Sequence, residues 1–429
     1  MLPTGFAPWK SQPGSAAQRA PRNVFLRFKS GRRHFPANGL SCENTPDRIC
    51  ARDLDFGIAA FSTLDIVFGA LSELFTKMTT SRYDGGIGTT QYEWCHHAVQ
   101  DVSRTFALTV EALDEPMATH ICVGYLLCRI ADTIEDATHI PPAEQARLLA
   151  TYEAVLDPDA PTTVEEFTDE IDGWIPPAER RNADWEVVAN SPIVVAAFFD
   201  LPDAVRDGIR EPVAQMIDGM GLFVERYASH GGIRIQSHPE LVEYCDYAAG
   251  TVGDLVTNLL TRERVTEAQR QTMNDTRASF ARLLQLVNVS KDVFVDYTTE
   301  NNVYLPAEWL SAEGVPQDDL VDPAYRPGTA RVVSRTAAAA RSCLDDAQRY
   351  LEAMPLRHGN TLAAWLAPYL LAVGTLRELD DRPEDALTRT GVKVSRPEVF
   401  AILDASTAAN GEAISGLRET VERTPFHRA

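Results

Sequence analysis

Lysine is scarce in this chain. Only five of its 40 basic residues are lysine (10, 29, 77, 291, 393); the other 35 are arginine. Positive charge is in deficit altogether, with 61 acidic residues and a formal charge of −21 over 429 residues. A surface this acidic repels phosphate backbones, which excludes nucleic acid as a partner. Two readings of the acidic, lysine-poor surface stay open: hydration in concentrated salt, or the ordinary bias of a high-GC genome.

Uninterrupted apolar runs of about 20 residues, the length of a membrane-spanning helix, are missing. Residues 56–76 are broken by Asp65 and Glu73, and 362–376 hold Pro368. The seven cysteines (42, 50, 95, 122, 128, 245, 343) are odd in number and form no CxxC pair. That predicts a reduced, cytoplasmic protein without a disulfide frame or zinc site. No alternating strand pattern of useful length occurs, nor a glycine fingerprint between strand and helix; Gly85-Gly86-Ile87-Gly88 reads as a turn. No Ser/His/Asp or Cys/His arrangement stands out. His96-His97 are poor joint ligands, because adjacent helical residues point about 100° apart.

What is present is helix upon helix. Apolar residues recur at helical spacing over 91–113, and from Asp114-Glu115-Pro116 to about Ala137. The same reading gives helices from Pro141-Pro142 through Leu156, in short pieces over 164–200, and from Leu201-Pro202 through Tyr227. It continues over 238–262, 265–300, 328–354, 360–379 and 396–421, with a short helix near Trp309. The class is all-α, one large bundle over residues 85–425. Residues 1–80 differ, with ten Lys/Arg against six Asp/Glu, and the first fifty are rich in Pro, Gly, Ser and Arg. They read as a disordered leader, and the contrast in charge predicts that translation begins at Met78.

Two acidic stretches organise the rest. In 284–306 (LQLVNVSKDVFVDYTTENNVYLP), Asn288, Asp292 and Asp296 are four apart and share one helix face. In 121–137 (ICVGYLLCRIADTIEDA), Asp132 and Asp136 are four apart with Glu135 beside them. Such pairs arise by chance in an acidic chain and usually mark solvated faces. Here each ends a strongly apolar run, where a carboxylate is costly unless paired or bound to a cation. Tyr125 and Arg129 fall on the side of Asp132. Two such helices face to face would form an oxygen-lined mouth on an apolar cavity, fit for hard divalent cations holding a polyphosphate. A third stretch, YCDYAAGTVG (244–253), sets Tyr247 beside Ala248, Ala249, Gly250 and Gly253. Glycine inside a helix suggests a kink or close ligand approach, or equally tight helix packing. Ser103-Arg104-Thr105-Phe106 says by itself only that Arg104 sits on an amphipathic helix.

DVSRTFALTV, YLLCRIADTIED, YCDYAAGTVG and QLVNVSKDVFVDYTTENNVYLP, in this order, resemble the squalene/phytoene synthase family, densely over about 90–310 and more loosely to about 420. The resemblance implies an isoprenoid synthase fold with a central cavity and head-to-head joining of two prenyl diphosphates. It implies that Asp132, Glu135 and Asp136, and Asn288, Asp292 and Asp296, hold Mg²⁺ against diphosphate. Ser103, Arg104, Tyr125, Arg129 and Lys291 match positions near the diphosphates. Tyr247 matches a tyrosine of the first half-reaction, and Gln285 a cavity-lining glutamine. The chain departs at Lys291, where arginine is common, and at Asn301-Asn302, where a basic residue often precedes the VYLP run. VSRTFALTV and CDYAAGTVG look closer to squalene synthases. The implied reaction therefore takes two farnesyl diphosphates through a cyclopropyl diphosphate to squalene, with reduction by NADPH. Phytoene or dehydrosqualene synthesis, without reduction, is the alternative, and a non-catalytic binding or assembly factor a further one. A monomer with peripheral membrane contact for product release completes the expectation.

Overall fold

A computed structural model describes residues 90–428 except 263, 264 and 358, and excludes the side chains of Arg104, Thr105 and Glu179. The expectations for the leader, for Met78 and for the turn at 85–88 lie outside the described residues.

The first predicted helix, 91–113, is two. Helix α1 (Gln91–Val102) stops at Ser103, whose backbone is extended at φ −154° and whose hydroxyl accepts the Phe106 N–H at 3.2 Å. Ser103 thus caps α2 (Arg104–Glu111). Helix α3 (Met117–Glu135) begins after Pro116, not at Asp114, and is buried almost throughout. Helices α4 (Pro142–Val155), α5 (Val164–Ile171), α6 (Ala183–Ala189) and α7 (Ser191–Phe199) follow, then the long α8 (Asp203–Arg226). The stretch 238–262 is α9 (His238–Cys245), a π turn over Asp246–Gly250, and α10 (Thr251–Thr261).

The organising helix predicted over 265–300 breaks in the middle of its acidic stripe. Helix α11 (Glu267–Lys291) ends at Asp292, at φ −105° and ψ 12°, and α12 (Val293–Thr299) restarts beyond it. The stretch 328–354 is likewise two helices. After α13 (Ala307–Ala312) come α14 (Arg326–Arg341) and α15 (Leu344–Ala353), parted at Ser342-Cys343. Helix α16 (Thr361–Asp381) carries Pro368 within a nearly all-buried span, and 396–421 divides into α17 (Arg396–Ala408) and α18 (Ile414–Arg423) at Asn410. Ser103, Asp292, Ser342 and Asn410 have short polar side chains that compete with the helix for backbone partners, so periodicity alone read through them.

Among the described residues the only strand-like pairing is one parallel bridge, Arg234 to Val303. No described helix is long and apolar enough to cross a membrane. Cys95, Cys122, Cys128, Cys245 and Cys343 are free thiols. Helix α3 packs on α8 and α10, while α11 packs on α14, α15 and α16. This leaves α3 and α11 as the inner helices of two halves, both enclosed by the core.

Candidate active site

An apolar cavity lies between these halves. Its lining includes Phe106 and Thr109 of α2, Val252 and Gly253 of α10, Leu284 and Gln285 of α11, and Trp365 of α16. It encloses about 1050 Å³ when the space open to solvent at its mouth is included. At Gly253 the tight-packing reading applies, since an added Cβ would stand 3.2 Å from that of Ala281.

One end of the cavity turns polar in steps. Phe106 stacks on Tyr125, Tyr125 accepts a hydrogen bond from Arg129, and Arg129 lies 3.4 Å from Asp132 Oδ2. On the opposing helix the order Gln285, Asn288, Asp292 is repeated at one-turn intervals, all three buried. Lys291 makes an ion pair with Asp292. The carboxylates from the two sides then converge. Asp296 is raised far above the usual carboxylate range by burial, then by Asp292 and, against the pull of Lys291, by Asp136. Glu300 is raised likewise by burial, then by Asp136 and the other aspartates of the cluster. Burial, with Asp136 and Asp132, does the same to Glu135. Asp132 is pushed up to about 7 by burial, against the pull of Arg129, with Asp184 adding to the rise. Beyond the cluster, Glu135, Asp136, Gln145, Tyr227, Glu300 and Asn302 line a polar pocket.

The structure thus brings together Tyr125, Arg129, Asp132, Glu135, Asp136, Gln285, Asn288, Lys291, Asp292 and Asp296. Ser103 is buried at the cap of α2; the Arg104 side chain lies outside the described residues. Tyr247 is not among the residues that line the cavity. It lies over Gly219 of α8, where an added Cβ would fall 2.2 Å from its ring. His96 contacts Thr119 at 3.1 Å and Glu115.

Three residues escaped the reading of motifs. Asp184 of α6, 4% exposed, reaches Arg129 at 3.6 Å. Glu300 continues the spacing of 288, 292 and 296 by one more turn, a signal the sequence did contain. Lys393 lies in the segment after Gly391, which packs against the carbonyl of Lys291 and the carboxylate of Asp292. Its ammonium is pulled below the usual range by burial and by Lys291, with Asp292 opposing.

The donor set suits a hard divalent cation. Asp132 Oδ1, Glu135 Oε1 and Glu300 Oε2 are buried oxygens without hydrogen-bond partners. Among the described residues no three His, Cys, Asp or Glu are already placed around one point. Mg²⁺ characteristically takes one or two carboxylates and completes its shell with substrate phosphate and water.

Residues 99–398 match the family model described as squalene/phytoene synthase. A probable squalene synthase of Neurospora crassa is 25% identical over 314 residues, 73% of this chain and 61% of the relative. The squalene synthase of Schizosaccharomyces pombe is 22% identical over 310 residues, 72% of this chain and 64% of the relative. The chain therefore matches less than two thirds of the length of either. That of Bos taurus is 23% identical over 369 residues, covering 86% and 80%. The structure of TcSQS with the ligand BPH1237 superposes with a TM-score of 0.65 at 22% identity, over 77% of this chain and 90% of that one, so the fold is that of a squalene synthase. With the matched segment filling well over half of its length, the chain belongs to the squalene/phytoene synthase family.

Proposed function

We propose that the protein joins two farnesyl diphosphates head to head, through presqualene diphosphate, to squalene, using Mg²⁺ and NADPH. The observation that carries this reading is the convergence of buried carboxylates from α3 and from α11–α12 at one end of an apolar cavity. A prenyl diphosphate has the matching polarity, a polyanion on a hydrocarbon tail.

Asp132, Glu135 and Asp136 on one side, and Asn288, Asp292 and Asp296 on the other, would hold Mg²⁺. When bound it neutralises diphosphate charge and improves the leaving group. Lys291, Lys393 and Arg129 add fixed positive charge around the cluster. Gln285 and the apolar lining seat the chains and keep water from an allylic cation. Phe106, in the cavity wall and backed by Tyr125, offers that cation an aromatic ring. Ser103 and Arg104 belong to the same wall by sequence, and Tyr247 is assigned to the first half-reaction on the family pattern. NADPH is the reductant this reading requires. Among the described residues no glycine-rich turn between strand and helix offers it a dinucleotide cradle, and no residue is assigned to it.

Residues 85–425 form the catalytic domain in this reading, a cytoplasmic monomer that meets a bilayer peripherally to release its hydrocarbon. Incubating the full chain with farnesyl diphosphate or geranylgeranyl diphosphate and Mg²⁺, with and without NADPH, and analysing the lipid extract tests it. Squalene appearing only with NADPH is the expected result. Dehydrosqualene in both arms, or phytoene formed only from geranylgeranyl diphosphate, would move the assignment to the non-reducing branch. No hydrocarbon and no released diphosphate would leave a binding or assembly factor.

A further inference from the structure

Glu300 stands one turn beyond Asp296, and its N–H donates to the Asp296 carbonyl at 3.2 Å. It is 8% exposed, and its Oε2 is buried with no hydrogen-bond partner. Its main charged neighbours are Asp136, Asp296, Asp132 and Asp292, all of its own sign. It also caps the C-terminal end of α12, where the helix carbonyls are partially negative. Every local influence opposes a charge there, yet the chain holds the residue in place. Asn301, next in sequence, is left-handed at φ 56°. Arg234 donates to its carbonyl and to its Oδ1, and its amide donates to the carbonyls of His230 and Gly231. Asn302 accepts the Ile233 N–H at 2.8 Å. The loop is fastened immediately after Glu300, and Glu300 lines the polar pocket beside Glu135, whose Oε1 also lacks a partner.

We infer that Glu300 is an additional carboxylate ligand for a divalent cation, shared with Glu135 or Asp136 in the polar pocket and completed by oxygens of a bound diphosphate. This inference rests on the proposed diphosphate chemistry and adds a ligand outside the two acidic motifs. Two carboxylates are too few to hold the ion alone, so binding through Glu300 requires diphosphate.

Mn²⁺ serves as the probe. The full chain is titrated with Mn²⁺ with and without inorganic pyrophosphate, and bound metal is counted by electron paramagnetic resonance. Wild type should take up more Mn²⁺ with pyrophosphate. Glu300→Gln should lose one of those ions or bind it at least about tenfold more weakly, a difference of roughly 1.4 kcal/mol. Glu300→Asp, which keeps the charge but shortens its reach, should fall between. Circular dichroism should show all three equally folded without metal. Stoichiometry and affinity in Glu300→Gln matching wild type would overturn this role while leaving the diphosphate site intact. Absence of any pyrophosphate-dependent uptake in wild type would overturn both.

Discussion

The rings of Phe106 and Tyr125 stack at 4.0 Å between centroids, 16° from parallel. Phe106 lines the apolar cavity, while the Tyr125 hydroxyl bonds Arg129 beside the carboxylates. The pair marks the boundary between the apolar and the acidic ends of the site. Phe106→Leu keeps an apolar side chain there and removes the aromatic face. A cation–π contribution of about 1–2 kcal/mol predicts turnover about tenfold lower, with little change in substrate KM. Steady-state diphosphate release measures it, and an unchanged kcat would remove the ring from the chemistry.

Asp132→Asn and Asp292→Asn each take one negative charge from opposite sides of the cluster. Turnover should fall on the order of a hundredfold or more, since metal-assisted charge neutralisation supplies several kcal/mol. Far-UV circular dichroism should show the protein folded. Wild-type rates in either variant would contradict the metal assignment.

Asp184 and Arg129 join α6 to α3 by a contact of 3.6 Å in the core, with Arg129 fully enclosed. Removing one partner of a buried pair typically costs about 3–5 kcal/mol. Asp132 still faces Arg129, so Asp184→Ala should lie at or below the lower end of that range. Urea unfolding of the two proteins gives the difference. A loss within about 0.5 kcal/mol, the size of ordinary surface changes, would show the contact to be incidental.

The cluster also predicts a pH dependence in the absence of metal. The Asp132 carboxyl is raised from 3.8 to about 7, so between those values the folded state binds more protons than the unfolded chain. Its contribution to stability is then complete below the unfolded value and is lost as pH rises through about 7. Glu135, Asp296 and Glu300 are shifted in the same direction by burial and mutual repulsion. Melting temperatures in EDTA should therefore drop between pH 5 and pH 8, and Mg²⁺ with pyrophosphate should recover most of the loss at pH 8. A melting temperature that rises across this interval in EDTA would refute the picture.

The helical class was legible because helical burial repeats every three to four residues, and that repeat is local. The clustering of Asp132 with Asp136, and of Asn288 with Asp292 and Asp296, was legible for the same reason. The break at Asp292 was not. The apolar pattern runs on through it, and a single residue leaving helical geometry keeps the spacing while ending α11 and starting α12. Ser103 shows the reverse case: its capping hydroxyl was visible in the sequence, but the unbroken periodicity around it outweighed it.

The all-helical class, the two buried acidic faces and the ordered motifs of the family can be read along the chain, because each is written in residues close together in it. Folding is what sets Asp136 near Asp296 and Glu300, Asp184 against Arg129, and Lys393 near Asp292. Those pairs come from helices and loops far apart in sequence, and their meeting depends on how the two halves pack around the cavity, which no local period encodes.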